Sequence, residues 1–299
     1  MSKKLNILII GFGSIGRRHA NILKRQKFVK KIYIFSNYKN HNFSKFESLN
    51  QNNLKNMDYI IIANKTDQHY KTLKKINDLV DKKIILVEKP LFNKDQKLSL
   101  IKNRIFVGYC MRFTPAFSYI KKNFSINRLK KISIISHSNL KKWRKNIHYS
   151  KSSSSLENGG GVLFDYSHEL DLLLWSFGEF KEKFYYHKKI SNLNINNKDF
   201  FFFFGKIKKA VLNFELNFFS KQNVRVIKID LNNQSYEIDI LKQKVFKFED
   251  NFRKTINLKK ISIDNIYLNM HKNILFEKKK IACNYLEGIR LNKILNRLK

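Results

Sequence analysis

Two short stretches of this chain carry side chains that can move a proton. Lys89 follows an apolar run and is flanked by Glu88 and Pro90. Asp165 and His168 come after a glycine triplet and are three residues apart, so on a helix they share one face. Histidine can accept a proton from an alcohol near neutral pH, and a neighbouring carboxylate can orient its ring.

Alternatives remain open for these residues. Asp171 is a second candidate for the carboxylate beside His168. Lys89 also has a simpler interpretation as a surface lysine after a strand, and His168 as a core histidine near a capped helix start. His168 and Asp171 lack a third strong ligand nearby in the sequence, so we expect no metal site.

A glycine-rich turn opens the chain. The apolar run Leu5–Ile10 is followed by Gly11-Phe12-Gly13-Ser14-Ile15-Gly16 and then by a stretch compatible with a helix to Lys24. A strand, GxGxxG and a helix form the start of a dinucleotide-binding unit. Gly11 permits the tight turn, Gly13 lets the backbone approach a pyrophosphate, and Gly16 lets the helix pack on the strand. We expect Ser14 and Ile15 to contribute to the same phosphate site.

The choice between NAD and NADP depends on the end of the second strand. NAD enzymes normally place an acidic residue there, about 20 positions after the glycines, to bind the ribose hydroxyls. Here the residues are Phe35-Ser36-Asn37-Tyr38-Lys39, without Asp or Glu. Ser36 and Lys39 could hold a 2′-phosphate, which slightly favours NADP. Alternatively, Asn37 contacts the ribose and the protein accepts both cofactors.

The elements that position these residues fall into two patterns. Up to about residue 117, short apolar strands alternate with helical stretches, which predicts a doubly wound, Rossmann-type parallel sheet. From 118 to 299, consecutive strand-like runs predict an α+β domain with a largely antiparallel sheet. We expect a helix over 162–177 to cover one face of that sheet. The phenylalanine run at 200–204 is expected to form a buried strand, and a helical region from 265 to 298 is expected to end the second domain.

Composition excludes few functions. The chain has 299 residues with 60 Lys+Arg against 23 Asp+Glu, a formal charge of +37. The excess is spread evenly and comes with many Asn, Ile and Phe, as in proteins of AT-rich genomes, so we expect no specific nucleic-acid site. The charge should still attract anionic substrates. Two cysteines and no long apolar segment near the start predict a cytoplasmic protein without a membrane span.

Together these motifs resemble the glucose–fructose oxidoreductase, inositol dehydrogenase and rhizopine catabolism family, Gfo/Idh/MocA. The resemblance extends over nearly the whole chain. Its motifs are the glycine turn, Ala63-Asn64-Lys65-Thr66-Asp67-Gln68-His69, Glu88-Lys89-Pro90, Gly108-Tyr109-Cys110-Met111-Arg112-Phe113-Thr114-Pro115, and the triplet Gly159-Gly160-Gly161 with Asp165 and His168. In many members the His comes four residues after the Asp, and here it comes three after it.

The resemblance implies hydride transfer between NAD or NADP and a secondary alcohol or ketone of a sugar, polyol or nucleotide sugar. Lys89 and His168 would handle the alcohol proton, with Asp165 assisting. The resemblance also implies that the cofactor contacts Ala63, Asn64, His69, Glu88 and Lys89. For the substrate it implies Arg112, Trp143, Arg144 and Tyr149. One face of the antiparallel sheet is implied as a subunit interface, so that a homo-oligomer is expected.

The sequence context around Asp165 and His168, with Trp143-Arg144 and Tyr149-Ser150 before it, is similar to a subgroup of surface-polysaccharide and nucleotide-sugar metabolism. Two alternatives remain: an NAD-dependent glycosidase that acts by transient oxidation, and a non-enzymatic cofactor-binding regulator.

Overall fold

The computed structural model describes residues 3–38, 42–143, 148–156, 160–250, 252–279 and 281–299. The helices are α1 (Ser14–Lys24), α2 (Gln51–Lys55), α3 (Thr66–Leu79), α4 (Pro115–Asn123), α5 (Val162–Asp165), α6 (Ser167–Phe177), α7 (Ile263–Phe276) and α8 (Tyr285–Leu298). The strands are β1 (Leu5–Ile10), β2 (Val29–Phe35), β3 (Ser44–Lys45), β4 (Tyr59–Ile62), β5 (Ile84–Val87), β6 (Arg104–Val107), β7 (Lys131–Asn139), β8 (Lys181–Lys188), β9 (Phe200–Ile207), β10 (Ala210–Asn217), β11 (Phe219–Asp230), β12 (Ser235–Asp239), β13 (Lys244–Glu249), β14 (Phe252–Asn257) and β15 (Cys283–Asn284).

The chain forms two compact units. The first comprises the residues up to Cys110 together with Ser262–Asn296, and the second comprises Met111–Ile261 together with Arg297–Lys299. This differs from the division expected from the sequence, in which 118–299 formed one domain. The reason is that β15 pairs antiparallel with β6 and extends the first unit's sheet, while α7 contacts α1.

The sheet of the first unit is of the Rossmann type. Among the described residues its strand order is β15-β6-β5-β4-β1-β2-β3, and every pair except β15–β6 is parallel. The central strand β4 is buried along its whole length because helices cover both faces of such a sheet. The carboxyl ends of β1, β4 and β5 therefore lie side by side, and the turns that follow them carry the candidate residues.

The sheet of the second unit is mostly antiparallel, as predicted. Its order among the described residues is β14-β13-β12-β11-β7-β10-β9-β8, and only β7 and β10 pair in parallel. The strand β14 was not expected from the sequence. The helix expected over 162–177 is interrupted at Tyr166, and α5 lies against β9 and β10.

Two other predictions needed correction. The phenylalanine run is not a fully buried strand: Phe201 and Phe203 are buried, whereas Phe204 is 43% exposed. Successive side chains of a strand point to opposite faces, and only one face of this sheet is covered. The helical region at the end of the chain is also not continuous, because β15 separates α7 from α8.

In the part of the chain that the structure describes, no helix is long and apolar enough to cross a membrane.

Candidate active-site residues

In the turn after β1, Gly11 and Gly16 have the conformational and packing roles that the sequence predicted, and Gly13 has open space around it. Gly11 has φ +91°, and a Cβ there would lie 2.5 Å from the backbone nitrogen of Asn64. A Cβ at Gly16 would overlap the carbonyl oxygen of Gly11, so the helix packs as closely as glycine allows. At Gly13, by contrast, a Cβ would have no atom within 4 Å. Open space at the middle glycine is what a bound pyrophosphate requires.

The start of α1 also suits an anion. Gly13 is the N-cap, no side chain caps the helix, and its first turn contains no acidic residue. The first N–H groups of a helix have no partner within the helix, and together with the helix dipole they favour a phosphate. Ser14 is exposed and Ile15 half-buried, as a backbone-lined phosphate site requires. The turn therefore fits a dinucleotide cofactor.

The end of β2 lies beside this turn, since the N–H of Gly11 donates to the carbonyl oxygen of Phe35 (2.9 Å). Asn37 and Tyr38 are exposed, and the Ser36 hydroxyl accepts the N–H of Tyr38 (3.2 Å). Lys39 lies outside the described residues.

A cation that the sequence analysis did not single out lies at the same place. The guanidinium of Arg17 lies 5.5 Å from the ring centre of Phe12 and 6.0 Å from that of Tyr38. Its Nε donates to the carbonyl oxygen of Phe12 (3.2 Å). Arginine binds phosphate well because its planar fork matches the phosphate oxygens.

The loop after β4 connects the glycine turn to the Lys89 turn. Asn64 donates from its side chain to the Thr72 hydroxyl (2.9 Å). His69 is buried, and its ring nitrogens lie 3.0 Å from the carbonyl oxygen of Pro90 and 3.2 Å from that of Asn64. Burial lowers the pKa of His69. This ring therefore holds two loops together, a supporting role in place of the direct cofactor contact expected from the sequence. Ala63, which precedes Asn64, is half-buried, and its N–H donates to the carbonyl oxygen of Ile10 (2.8 Å).

Lys89 lies in a turn whose other residues are buried. From residue 85 to 92 it is the one residue that is not buried, and the Lys89–Pro90 bond is cis. Glu88 is 6% exposed; its Oε2 accepts the N–H of Lys89 (3.2 Å), and its Oε1 lies 3.0 Å from Nε2 of His19. Glu88 therefore supports the Lys89 turn from inside the unit, and its expected contact with the cofactor stays a prediction.

In the second unit, Asp165 and His168 stand out on an otherwise buried helical segment. Between residues 160 and 173 these two are the only ones that are not buried. Gly161 is the N-cap of α5 with φ +97°, a conformation that L side chains rarely adopt. Asp165 ends α5 and His168 is the second residue of α6, so the interruption at Tyr166 falls between them. Gly159 lies outside the described residues.

Three sets of hydrogen bonds fix this segment within the second unit. The Tyr166 hydroxyl donates to Ser138 (2.7 Å), whose hydroxyl also accepts the indole N–H of Trp143 (2.8 Å). Glu169 Oε1 accepts hydrogen bonds from the Ser136 hydroxyl (2.8 Å) and from Arg225 Nε (2.6 Å). The carboxylate of Asp171 accepts two hydrogen bonds from Arg112 (2.6 and 2.8 Å). Positions 166, 169 and 171 thus hold the backbone, while 165 and 168 stay accessible.

The pair of Arg112 and Asp171 corrects one expected substrate residue. Arg112 is 2% exposed, and its guanidinium is bonded to Asp171 and lies 5.2 Å from the ring centre of Trp175. A fully buried arginine in a bidentate ion pair is a structural group of the second unit. Both oxygens of Asp171 are used by Arg112, which leaves Asp165 as the carboxylate on the accessible face with His168.

The other expected substrate residues lie near this helix's sheet. Trp143 is 38% exposed, and its ring packs edge-on against Phe218 (5.0 Å between centres). Tyr149 is half-buried, and its hydroxyl accepts the N–H of Asn194 (3.3 Å). Arg144 lies outside the described residues.

The part of the chain that contains the glycine turn matches one known family. Residues 5–102 match the model of the oxidoreductase family with an NAD-binding Rossmann fold, GFO_IDH_MocA. This part of the chain is therefore similar to the NAD-binding domain of that family. The expected resemblance and enzyme class, an oxidoreductase that uses a nicotinamide dinucleotide, are confirmed at this level.

Solved structures agree with the predicted fold over the whole chain. UDP-N-acetylglucosamine 3-dehydrogenase GnnA from Acidithiobacillus ferrooxidans is 16% identical with a TM-score of 0.76, covering 99% of this chain and 97% of that one. Levoglucosan dehydrogenase in complex with NADH is 14% identical with a TM-score of 0.79, covering 99% and 96%. The dehydrogenase MviM from Clostridium difficile is 19% identical with a TM-score of 0.72, covering 99% and 98%. Among curated proteins, no sequence matches this chain significantly.

The sequence analysis missed three supporting residues. His19, His271 and Arg225 contact Glu88, His19 and Glu169 respectively, and all are far from their partners in the sequence. Only His19 gave a local signal, since a histidine on the buried face of α1 is unusual.

Proposed function

We propose that the chain is a cytoplasmic NAD(P)-dependent oxidoreductase acting on a secondary alcohol or ketone of a sugar, polyol or nucleotide sugar, in the biosynthesis of surface polysaccharides. The observation that carries this proposal is that Lys89, Asp165 and His168 are half-buried within segments whose other residues are buried. Rigid backbones that expose proton-transfer groups are typical of catalytic sites. Two structural relatives, a UDP-N-acetylglucosamine 3-dehydrogenase and a levoglucosan dehydrogenase, act on sugars.

In this proposal the chain's own residues manage binding and the proton. The glycine turn and the start of α1 hold the pyrophosphate of the cofactor, whose nicotinamide accepts or supplies the hydride. Lys89 and His168 hydrogen-bond the reacting hydroxyl, and His168 takes its proton during oxidation. Asp165 stabilises the imidazolium that forms.

The experiment is a panel of sugars and nucleotide sugars, read by nicotinamide absorbance with NAD and with NADP. Lys89→Ala and His168→Ala should each lower turnover by roughly 10²-fold, the scale for losing a positioned acid–base group. Lys97→Ala, on the exposed part of the same loop, is the matched control and should keep full activity. Product release without net change in nicotinamide absorbance would favour the transient-oxidation glycosidase instead. Cofactor binding without turnover of any substrate would favour a regulator.

We also propose NADP as the preferred cofactor. The described residues 35–38 contain no carboxylate, and the Arg17 guanidinium lies near Tyr38. Quenching of intrinsic fluorescence gives the dissociation constants of NADPH and NADH. Arg17→Ala should weaken the binding of NADPH by about 10-fold, because one charge-assisted hydrogen bond is lost. The binding of NADH should be unchanged. Equal affinity for both cofactors in the unaltered protein would contradict the preference.

A homo-oligomer is part of the proposal. Five aromatic residues share the uncovered face of β8 and β9: Phe184, Tyr186, Phe200, Phe202 and Phe204. Contiguous exposed apolar surface of this kind marks an interface. Light scattering after size exclusion should give a multiple of the 35.8 kDa chain mass, and Phe184→Lys with Phe204→Lys should shift it to the monomer. A monomeric unaltered protein would exclude this part.

A further inference from the structure

A buried chain of hydrogen bonds in the first unit ends at the Lys89 turn. Tyr59 Oη lies 3.0 Å from His271 Nδ1, and His271 Nε2 lies 2.9 Å from His19 Nδ1. His19 Nε2 lies 3.0 Å from Glu88 Oε1, and the other oxygen of Glu88 accepts the N–H of Lys89. Four polar groups from β4, α7, α1 and the end of β5 thus connect in series.

These groups are enclosed by protein. Tyr59, His19 and His271 are 0% exposed and Glu88 is 6% exposed. Buried polar groups cost free energy unless they are hydrogen-bonded, and a fully connected network also fixes one geometry. An apolar core would stabilise the unit equally well, so the series has a role beyond packing.

The direction of donation follows from the chemistry of each group. A carboxylate only accepts, so His19 Nε2 carries a proton. Burial and the charge of Glu88 raise the pKa of Tyr59 well above its usual value, which keeps its hydroxyl proton in place. Burial and the neighbouring His19 lower the pKa of His271 well below its usual value, so this ring is neutral. If the His19 ring carries a single proton, at Nε2, then Tyr59 donates to His271, His271 donates from Nε2 to His19, and His19 donates to Glu88.

We propose that Tyr59, His271 and His19 are positioning residues for Lys89, because their one-way donor series holds the Glu88 carboxylate against the Lys89 backbone. The proposal rests on the proposed role of Lys89 and deepens it. Through His271, α7 also takes part in positioning Lys89, although this helix lies more than 150 residues after Lys89 in the sequence.

Other titratable groups lie beside the series. Tyr267 is edge-on to His19 at 5.3 Å between ring centres, Cys110 hydrogen-bonds to Tyr267, and Arg18 lies 5.8 Å from the Tyr267 ring centre. The buried ring of His69 interacts with the charge of Glu88.

The first test is the tautomer of each ring, read by ¹⁵N NMR of histidine-labelled full-length protein at pH 8. The proposal expects His19 and His271 both to carry their proton at Nε2. Tyr59→Phe should shift the Nδ1 resonance of His271 because that atom loses its donor. The matched control is Tyr267→Phe, which removes another buried hydroxyl beside His19 that is not in the series. A proton at Nδ1 of His271 at pH 8, or equal shifts in both variants, would overturn the proposed direction.

The second test reads the Lys89 backbone. Amide hydrogen exchange at Lys89 should accelerate about 2- to 10-fold in Tyr59→Phe and more in His271→Leu, the scale of one net hydrogen bond. General destabilisation would accelerate the amides of β1 and β4 equally, and that result, or unchanged exchange at Lys89, would contradict the positioning role. Neither test needs a substrate. A failed sugar panel therefore counts against the proposed function alone, and an unaltered Lys89 amide counts against the positioning series alone.

Discussion

The residues that the motifs identified differ in burial. Lys89, Asp165 and His168 are half-buried, whereas Glu88, His69 and Arg112 are buried in contacts with their own unit. The sequence patterns identified all six, but a motif shows which residue types occur together and not which of them are buried.

The glycine turn gives a prediction with an internal control. Gly13→Val should abolish cofactor binding, because its side chain enters the open space that the pyrophosphate needs, while the melting temperature stays close to that of the unaltered protein. Gly16→Val should instead lower the melting temperature, since its side chain meets the Gly11 carbonyl. Fluorescence titration and thermal melts separate the two. Tight cofactor binding by a folded Gly13→Val protein would refute the assignment.

Substitutions at Asp165, which ends α5, and at Asp171 on α6 should have different effects. Asp165→Asn should slow turnover with little change in stability, because Asp165 lies on the accessible face. Asp171→Asn should destabilise the fold by about 3–5 kcal/mol, since it leaves the buried Arg112 charge without its carboxylate. Urea denaturation measures the second effect and steady-state kinetics the first. If Asp171→Asn were as stable as the unaltered protein but inactive, Asp171 would be the partner of His168.

At the scale of elements, the sequence predicted the regular parts and missed the long-range ones. The apolar runs of β1 and β4 and the glycine turn are local signals, and they placed the Rossmann strands within a few residues. The pairing of β15 with β6 and the docking of α7 on α1 have no such signal, because an amphipathic helix does not specify which sheet it covers. The hydrogen bonds that Glu169 and Asp171 make to residues distant in the sequence could not be predicted for the same reason.

The close packing of α8 on the first unit can be tested. A Cβ at Gly288 would lie 2.5 Å from Val107 Cγ2 and 3.2 Å from Leu91 Cδ2. Gly288→Leu should therefore destabilise the protein by about 1–3 kcal/mol through overpacking, and weaken cofactor binding with it. Leu286→Ala, on the same helix but 68% exposed, should have no effect. Equal melting temperatures for both variants would show that α8 packs more loosely.

For the whole molecule, the buried histidines predict sensitivity to acid. Burial, followed by the charge of Lys198, lowers the pKa of His187 to about 4, from about 6.5 in an unfolded chain. Burial also lowers the pKa of His69 and that of His271. The unfolded chain then binds more protons below pH 6.5, so this stability is complete above pH 6.5 and is lost as the pH falls towards 4.

Urea midpoints measured from pH 7.5 to 4.5 should therefore fall, and the formal charge of +37 adds repulsion that also favours unfolding. His187→Gln should reduce the fall of the urea midpoint between pH 7.5 and 4.5. His148→Gln, an exposed control, should leave that fall unchanged. A midpoint that stays constant down to pH 4.5 would show that these rings can be protonated without cost.

The division of the chain has a consequence for its synthesis. The first unit needs Ser262–Asn296, so about 150 residues of the second unit leave the ribosome between its two parts. During translation the second unit can complete its sheet while β6 still has an open edge and His19 lacks its imidazole partner. The first unit therefore begins before the second unit and is completed after it. A nascent chain would complete the first unit only once Ser262–Asn296 has been synthesised.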